Sequence, residues 1–193
     1  MTEPKLTLPT AEAEVAQAVA KESGHVLDYG SGGSTVLFAA QPERTVFSVE
    51  SDANWVAMMS DWFRQMPPST NLFLHHLDIG PTVAWGFPTS PKSLMNWPGY
   101  ATSVWRRTDF VHPDVVLVDG RFRVSCVLAT ALFTQKPVRL FCDDYARRTF
   151  YHDVERYLRH ERIHGRMAEF LITPTTPSAD TLSEWLAYFV DPL

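Results

Sequence analysis

The chain has 193 residues, 45% of them hydrophobic and 20% charged, with a formal net charge of −5. These are ordinary globular values, and the length suits one domain, residues 1–193, with a sizeable core. The acidic balance argues against a general nucleic-acid binder, and no apolar run approaches the ~20 residues of a membrane span.

The start, MTEPKLTLPTAEAEV, has no basic stretch followed by an apolar block, so no secretory signal is read. Cys126 and Cys142 sit in apolar runs, where a cysteine serves as a small buried hydrophobe; no disulfide framework is expected, and the cytoplasm is the expected compartment. Residues 10–23 (TAEAEVAQAVAKES) put Val15, Ala18 and Val19 on one helical face and stop at Gly24. HVLDY is a short apolar strand. The turn Gly30–Gly33 follows, then a buried helix from Ser34 to Ala40 that Pro42 ends. TVFSVE, Thr45 to Glu50, is a second strand, and Asp52 caps a helix reaching about Gln65, which Pro67-Pro68 breaks. NLFLHHLDIG and PDVVLVDG supply a third and a fourth strand. VSCVLATALF is a helix, VRLFCDDY a fifth strand and RTFYHDVERYLRHE a helix. The late chain offers one clear strand, Gly165 to Thr173, with ERIH as the candidate partner strand before it; a final helix is capped near Ser178.

Strands alternating with helices predict an α/β fold: a doubly wound, mostly parallel sheet with helices on both faces. The strands are continuously apolar, which fits burial on both sides. Residues 80–112 break the rhythm with Pro81, Pro88, Pro91 and Pro98 and with Trp85, Trp97 and Trp105. The segment is too long for a connection and reads equally as a lid or as an aromatic flap over a sheet edge.

Acids close the strands: Asp28, Glu50, Asp119 and Asp143-Asp144, with Asp78 after the third. In an open parallel sheet the ligand crevice lies beyond the carboxyl ends of the strands, so these acids converge on one edge. A dinucleotide fold wants G-x-G-x-x-G/A there, but Thr35 holds the last small position, and Asp28 would face a pyrophosphate. S-adenosylmethionine (SAM) has no phosphate and carries a sulfonium and an ammonium, which an aspartate at the mouth of the first strand suits. The glycines let the backbone approach the ligand, and Glu50 can accept both ribose hydroxyls.

VLDYGSGG followed by VFSVE resembles the cofactor half of the class I SAM-dependent methyltransferases, over residues 12–172. The resemblance implies a seven-stranded, mostly parallel, Rossmann-like sheet with one antiparallel strand near the C-terminus. It places Asp28 and the turn Gly30, Ser31, Gly32 and Gly33 at the methionine end of SAM, Glu50 at the ribose and Asp78 at the adenine amino group. Ser34 stands where many members have another glycine. Asp119, Asp143 and Asp144 are similar in placement to the acids of metal-dependent O-methyltransferases; they could hold Mg²⁺ and lower the pKa of a bound hydroxyl. The matching lysine of the catechol type is missing. The competing reading makes these acids caps or partners of Arg147 and Arg148.

Arg121, Arg123, Arg147 and Arg148 flank the acids as counter-ions or as clamps for an anionic substrate. Arg121 and Tyr145 are expected nearest the crevice; Tyr151 and His152 are expected on helix surface or in the core. Neighbouring strand residues point to opposite faces, so His75 and His76 do not pair on zinc, and His76 is left as a candidate pocket wall. Gly30-Ser31-Gly32 lacks the G-x-S-x-G of a nucleophile elbow. The expected function is a SAM-dependent methyltransferase of a small-molecule acceptor, with a hydroxyl as the first choice of atom and with Asp119 and Asp144 as catalytic candidates. The alternatives are a non-catalytic SAM- or S-adenosylhomocysteine (SAH)-binding scaffold of the same fold and an NAD-dependent oxidoreductase. The pattern names neither the acceptor nor the oligomeric state.

Overall fold

A computed structural model describes residues 3–193. Two runs with no polar alternation, Val26–Tyr29 (β1) and Val115–Val118 (β4), are buried at every residue and pair with each other in the middle of the sheet. Around them lie Thr45–Glu50 (β2), Asn71–His76 (β3), Val138–Cys142 (β5), Arg162–His164 (β6) and Met167–Ile172 (β7). The spatial order is β3-β2-β1-β4-β5-β7-β6. All pairings are parallel except those of β7, which runs against both β5 and β6. The ERIH segment thus supplies the first strand of a terminal hairpin.

Helix Thr10–Glu22 (α1) precedes β1; Gly33–Ala39 (α2), Ala53–Gln65 (α3) and Arg123–Phe133 (α5) cross between strands, and Pro98–Thr102 (α4) lies in the long insertion. Asp52 caps α3 by accepting the amides of Asn54 and Trp55 at 2.8 and 3.0 Å. Ser178 caps the last helix, Ala179–Trp185 (α6), through the Thr181 amide at 3.1 Å. The buried face of α1 is Glu12, Ala16, Val19 and Ala20, and the expected Ala18 is exposed. Glu12 enters the core because its carboxylate accepts the Arg166 amide at 2.6 Å. The segment expected as a helix after β5 is instead a 3-10 helix over Thr149–Arg156. Its two buried side chains, Tyr151 and Val154, are three residues apart, and a three-residue turn eclipses them on one face. No helix among the described residues is long and apolar enough to cross a membrane.

The insertion divides into two parts. From Trp97 to Val104 it joins the core: the Trp97 indole donates to Ile79 O at 2.9 Å, and Tyr29 donates to Ala101 O at 2.6 Å. The earlier part, a short hairpin of Thr82–Val83 and Phe87–Pro88, stands at the strand ends.

The strand order reverses between β1 and β4, which opens a crevice at their carboxyl ends. The turns leaving the two strands touch there. Gly30 has φ +110°, and a Cβ on it would lie 2.6 Å from Gly120 N. Gly33 is constrained from the other side: a Cβ there would collide with the backbone of Lys5 and Leu6, which strap the start of α2. Gly32 meets nothing within 4 Å. Gly33→Ala is therefore expected to cost about 1–3 kcal/mol of unfolding free energy, as overpacking against backbone does, while Gly32→Ala stays within about 0.5 kcal/mol. Urea unfolding of the two variants checks this; equal effects would contradict the strap contact.

Candidate functional site

The glycine turn rests on a buried polar network. Asp28 is fully buried and accepts Thr35 Oγ1 at 2.6 Å and Ser34 Oγ at 3.0 Å. Thr35 Oγ1 also accepts the Gly32 amide at 3.0 Å and lies 3.0 Å from Ser48 Oγ, which in turn meets Ser31 Oγ at 2.7 Å. On the outer side, the Trp55 indole donates to Ser31 O at 2.6 Å. The hydroxyls of Ser34 and Thr35, at positions where glycine or alanine was the reference, thus bind the turn to β1 and β2. Among the described residues no cation faces Asp28. Burial pushes its pKa from 3.8 up to about 7, against the pull of the two hydroxyl bonds.

Beyond the turn lies a cavity of about 900 Å³, lined by the turn itself, Glu50, Asp52 and Trp55 on one side and by Asp119, Arg121, Arg123, Asp144, Arg148 and Arg166 on the other. Lys5–Thr7 and Ala84–Phe87 form its borders. Glu50 ends β2 with its carboxylate divided between two tasks. Its Oε1 accepts the amides of Ser51 and Asp52 at 2.6 and 2.9 Å, and no described residue donates to Oε2. Burial raises its pKa, partly offset by those amides. The hairpin turn at Trp85 and Gly86, both at positive φ, brings Gly86 against this carboxylate: a Cβ on Gly86 would lie 3.5 Å from Oε1.

The acids after β4 and β5 are tied to arginines. Arg166 grips Asp143 with both ends of its fork, at 3.0 and 2.6 Å, and reaches Asp144 at 3.1 Å. Asp144 also meets Arg148 at 2.9 Å and Arg123 at 3.4 Å. Arg123 holds Asp119 at 3.1 Å and donates to the backbone of Asp119, Gly120 and Asp143. This corrects the Mg²⁺ expectation for Asp119, Asp143 and Asp144. Guanidiniums occupy the space a cation would need, and among the described residues no group of three or more His, Cys, Asp or Glu side chains is placed to hold a metal. Burial tends to raise the pKa of Asp143, but the Arg166 fork prevails and holds it below the usual carboxylate value. Asp119 goes the other way: burial raises it, Arg123 opposes, and the charge of Asp143 adds to the rise.

No protein-family model matches the chain, and no curated protein matches it. Among solved structures, a methyltransferase-like protein from Silicibacter pomeroyi shares 44% identity over 98% of this chain and 99% of its own, with a TM-score of 0.95. The chain belongs to the class I SAM-dependent methyltransferase family. More distant structures share the fold. The O-methyltransferase TomG from Streptomyces achromogenes, in complex with SAM, is 11% identical, with 88% of this chain and 82% of that one covered and a TM-score of 0.54. An RNA methyltransferase from Salinibacter ruber, in complex with SAH, is 12% identical, with 91% and 99% covered and a TM-score of 0.54.

On this methyltransferase fold, Gly30, Ser31, Gly32, Gly33, Glu50, Asp119 and Asp144 all line one cavity. Asp28 lies beneath the turn and does not; its carboxylate supports the turn from within. Asp78 is exposed and accepts the Gly80 amide at 2.8 Å, closing its own turn instead of facing the cavity. His75 bonds Ser103 at 2.8 Å and His76 approaches Ser51 O at 3.3 Å, both away from the cavity wall. Of the pair expected nearest the crevice, Arg121 lines it, but Tyr145 is buried and donates to Glu155 at 2.8 Å. Tyr151 is buried under the guanidiniums of Arg123 and Arg148, and His152 approaches Tyr145 O at 3.0 Å. Sequence reasoning missed the Lys5–Thr7 strap, Trp55 and Arg166; only Trp55, one turn into the helix that Asp52 caps, carried a local signal.

The buried Asp28 has a testable signature. Its protonated form is favoured in the folded state, so its contribution to stability is complete below pH 4 and is lost as pH rises toward 7. The loss is on the order of 4 kcal/mol at about 1.4 kcal/mol per pH unit. Asp28→Asn stays neutral and removes that slope. Urea unfolding from pH 4.5 to 8 should show the variant gaining on the wild type as pH rises; parallel profiles would contradict the buried, unpaired carboxylate.

Proposed function

We propose that the chain methylates a small-molecule acceptor at a hydroxyl, using SAM, in the cytoplasm. The observation that carries the reading is the Glu50 carboxylate, anchored by two amides at Oε1 and open at Oε2, in the same cavity wall as the glycine turn. A cavity of about 900 Å³ supports it, being in the upper range of small-molecule sites. The donor set fits SAM: carboxylates for hydroxyls and cations, and close backbone at the turn. Two buried free cysteines suit a reducing compartment.

When bound, SAM supplies an electrophilic methyl group on a sulfonium. Glu50 would accept the ribose hydroxyls at Oε2, and the turn, held by Asp28, Thr35 and Ser48, would hold the methionine end. Asp119 is the proton acceptor for the substrate hydroxyl. A quarter of its side chain is open, and its raised pKa suits a base working near neutrality. Arg123 fixes its position. Asp144, held by three guanidiniums, positions the wall without exchanging a proton.

Calorimetry with SAH tests the cofactor assignment. Glu50→Ala is expected to weaken SAH about tenfold or more, through loss of charged hydrogen bonds, and Asp78→Ala to leave it unchanged. A wild-type chain that is folded and binds no SAH would contradict the reading. Turnover should fall as pH drops through the Asp119 pKa, since the base must be ionised, and Asp119→Asn should lower kcat by about 10²–10⁴. SAH binding without turnover on a broad panel of hydroxylated acceptors would favour the non-catalytic alternative.

A further inference from the structure

Four arginines face the cavity, and three are spent. Arg123, Arg148 and Arg166 each pair with at least one of Asp119, Asp143 and Asp144. Arg121 makes no ion pair among the described residues, and its Nε is buried without a hydrogen-bond partner. Burial, with Arg123 and Arg148 nearby, lowers its pKa, so its positive charge is held at a cost. A half-buried guanidinium beside two others is a poor arrangement for an empty wall, and a good one for a wall that receives an anion. Its place is fixed by the fold: it follows the Gly120 turn, its backbone amide approaches Tyr100 Oη at 3.4 Å, and its stem packs on Gly86 across from Glu50.

We propose that Arg121 binds a carboxylate or phosphate group of the acceptor, so that the substrate is an anionic small molecule. This rests on the methyl-transfer reading above and adds the acceptor's charge to it. Arg121 would fork two hydrogen bonds onto the anion, with Asp119 on the same wall to receive the hydroxyl proton. Carboxylate and phosphate offer the same paired oxygens, and the guanidinium suits either.

The test is calorimetry on the full chain saturated with SAH, at fixed ionic strength, with sodium benzoate and with inorganic phosphate as separate probes. One of them should bind the wild type at millimolar concentration or better, and which one identifies the group. Arg121→Gln should weaken that anion about tenfold or more, Arg121→Lys should keep part of the affinity, and both should leave SAH affinity and melting temperature unchanged. No anion binding up to about 50 mM, or equal binding by Arg121→Gln, would overturn the proposal. So would a parallel loss of SAH in Arg121→Gln, which would assign the residue to the cofactor's own carboxylate. Should the wild type bind an anion but no SAH, the anion site would stand and the methyl-transfer reading would fall; an Arg121→Gln titration without SAH distinguishes these cases.

Discussion

The crevice depends on two turns that touch. Gly30 leaves β1 and Gly120 leaves β4 so closely that neither backbone leaves room for a side chain between them. That contact brings the ends of the two central strands to one cavity: the glycine turn and Glu50 come from one half of the sheet, Asp119 and Arg121 from the other. The turn gains rigidity from below. Ser31, Thr35, Ser48 and the Gly32 amide close a hydrogen-bonded set around Asp28, so a carboxylate without a counter-ion is kept in the core by hydroxyls alone. Such a network is worth having only if complete, since each unpaired member would be expensive in a dry interior.

Charge in the cavity is sorted by depth. Asp143, fully buried, takes the bidentate fork of Arg166, while Asp119, partly open, keeps the weaker single contact with Arg123. Like charges on neighbouring strands cannot all ionise cheaply, and the two carboxylates separate: one is held low by its fork, the other pushed up. The separation leaves one carboxylate suited to exchange a proton and one suited to hold an arginine. Arg121, outside this balance, is the group left to meet a ligand.

The parts of the fold written within a few residues were legible. The apolar strands, the Asp52 cap and the Gly30–Gly33 turn depend on local pattern, and the spacing to Glu50 is set by one helix. The parts written across the chain were not. Arg166 lies on the β6–β7 turn, and nothing near Asp143 or Asp144 signals that it returns to neutralise them; without it the acids resembled a metal site. The local pattern gave no sign that Asp78 closes the turn on Gly80, which follows β3 at once. The Lys5–Thr7 strap has no pattern of its own; its trace in the sequence is Gly33, whose missing side chain makes room for it. Thr35 was legible as a departure from a dinucleotide turn, but its contact with Ser48 required the register of β1 on β2, which sets Ser48 beside Asp28.

The central claim is that the strand-end crevice is a SAM site organised by Glu50 and the glycine turn. A crystal structure of the chain grown with SAH tests it most directly. The account predicts ribose hydroxyls within hydrogen-bond distance of Glu50 Oε2 and the amino-acid end against Gly30–Gly33, under the Lys5–Thr7 strap. SAH bound elsewhere, or Ala84–Phe87 closed on Glu50 with the nucleoside excluded, would contradict it.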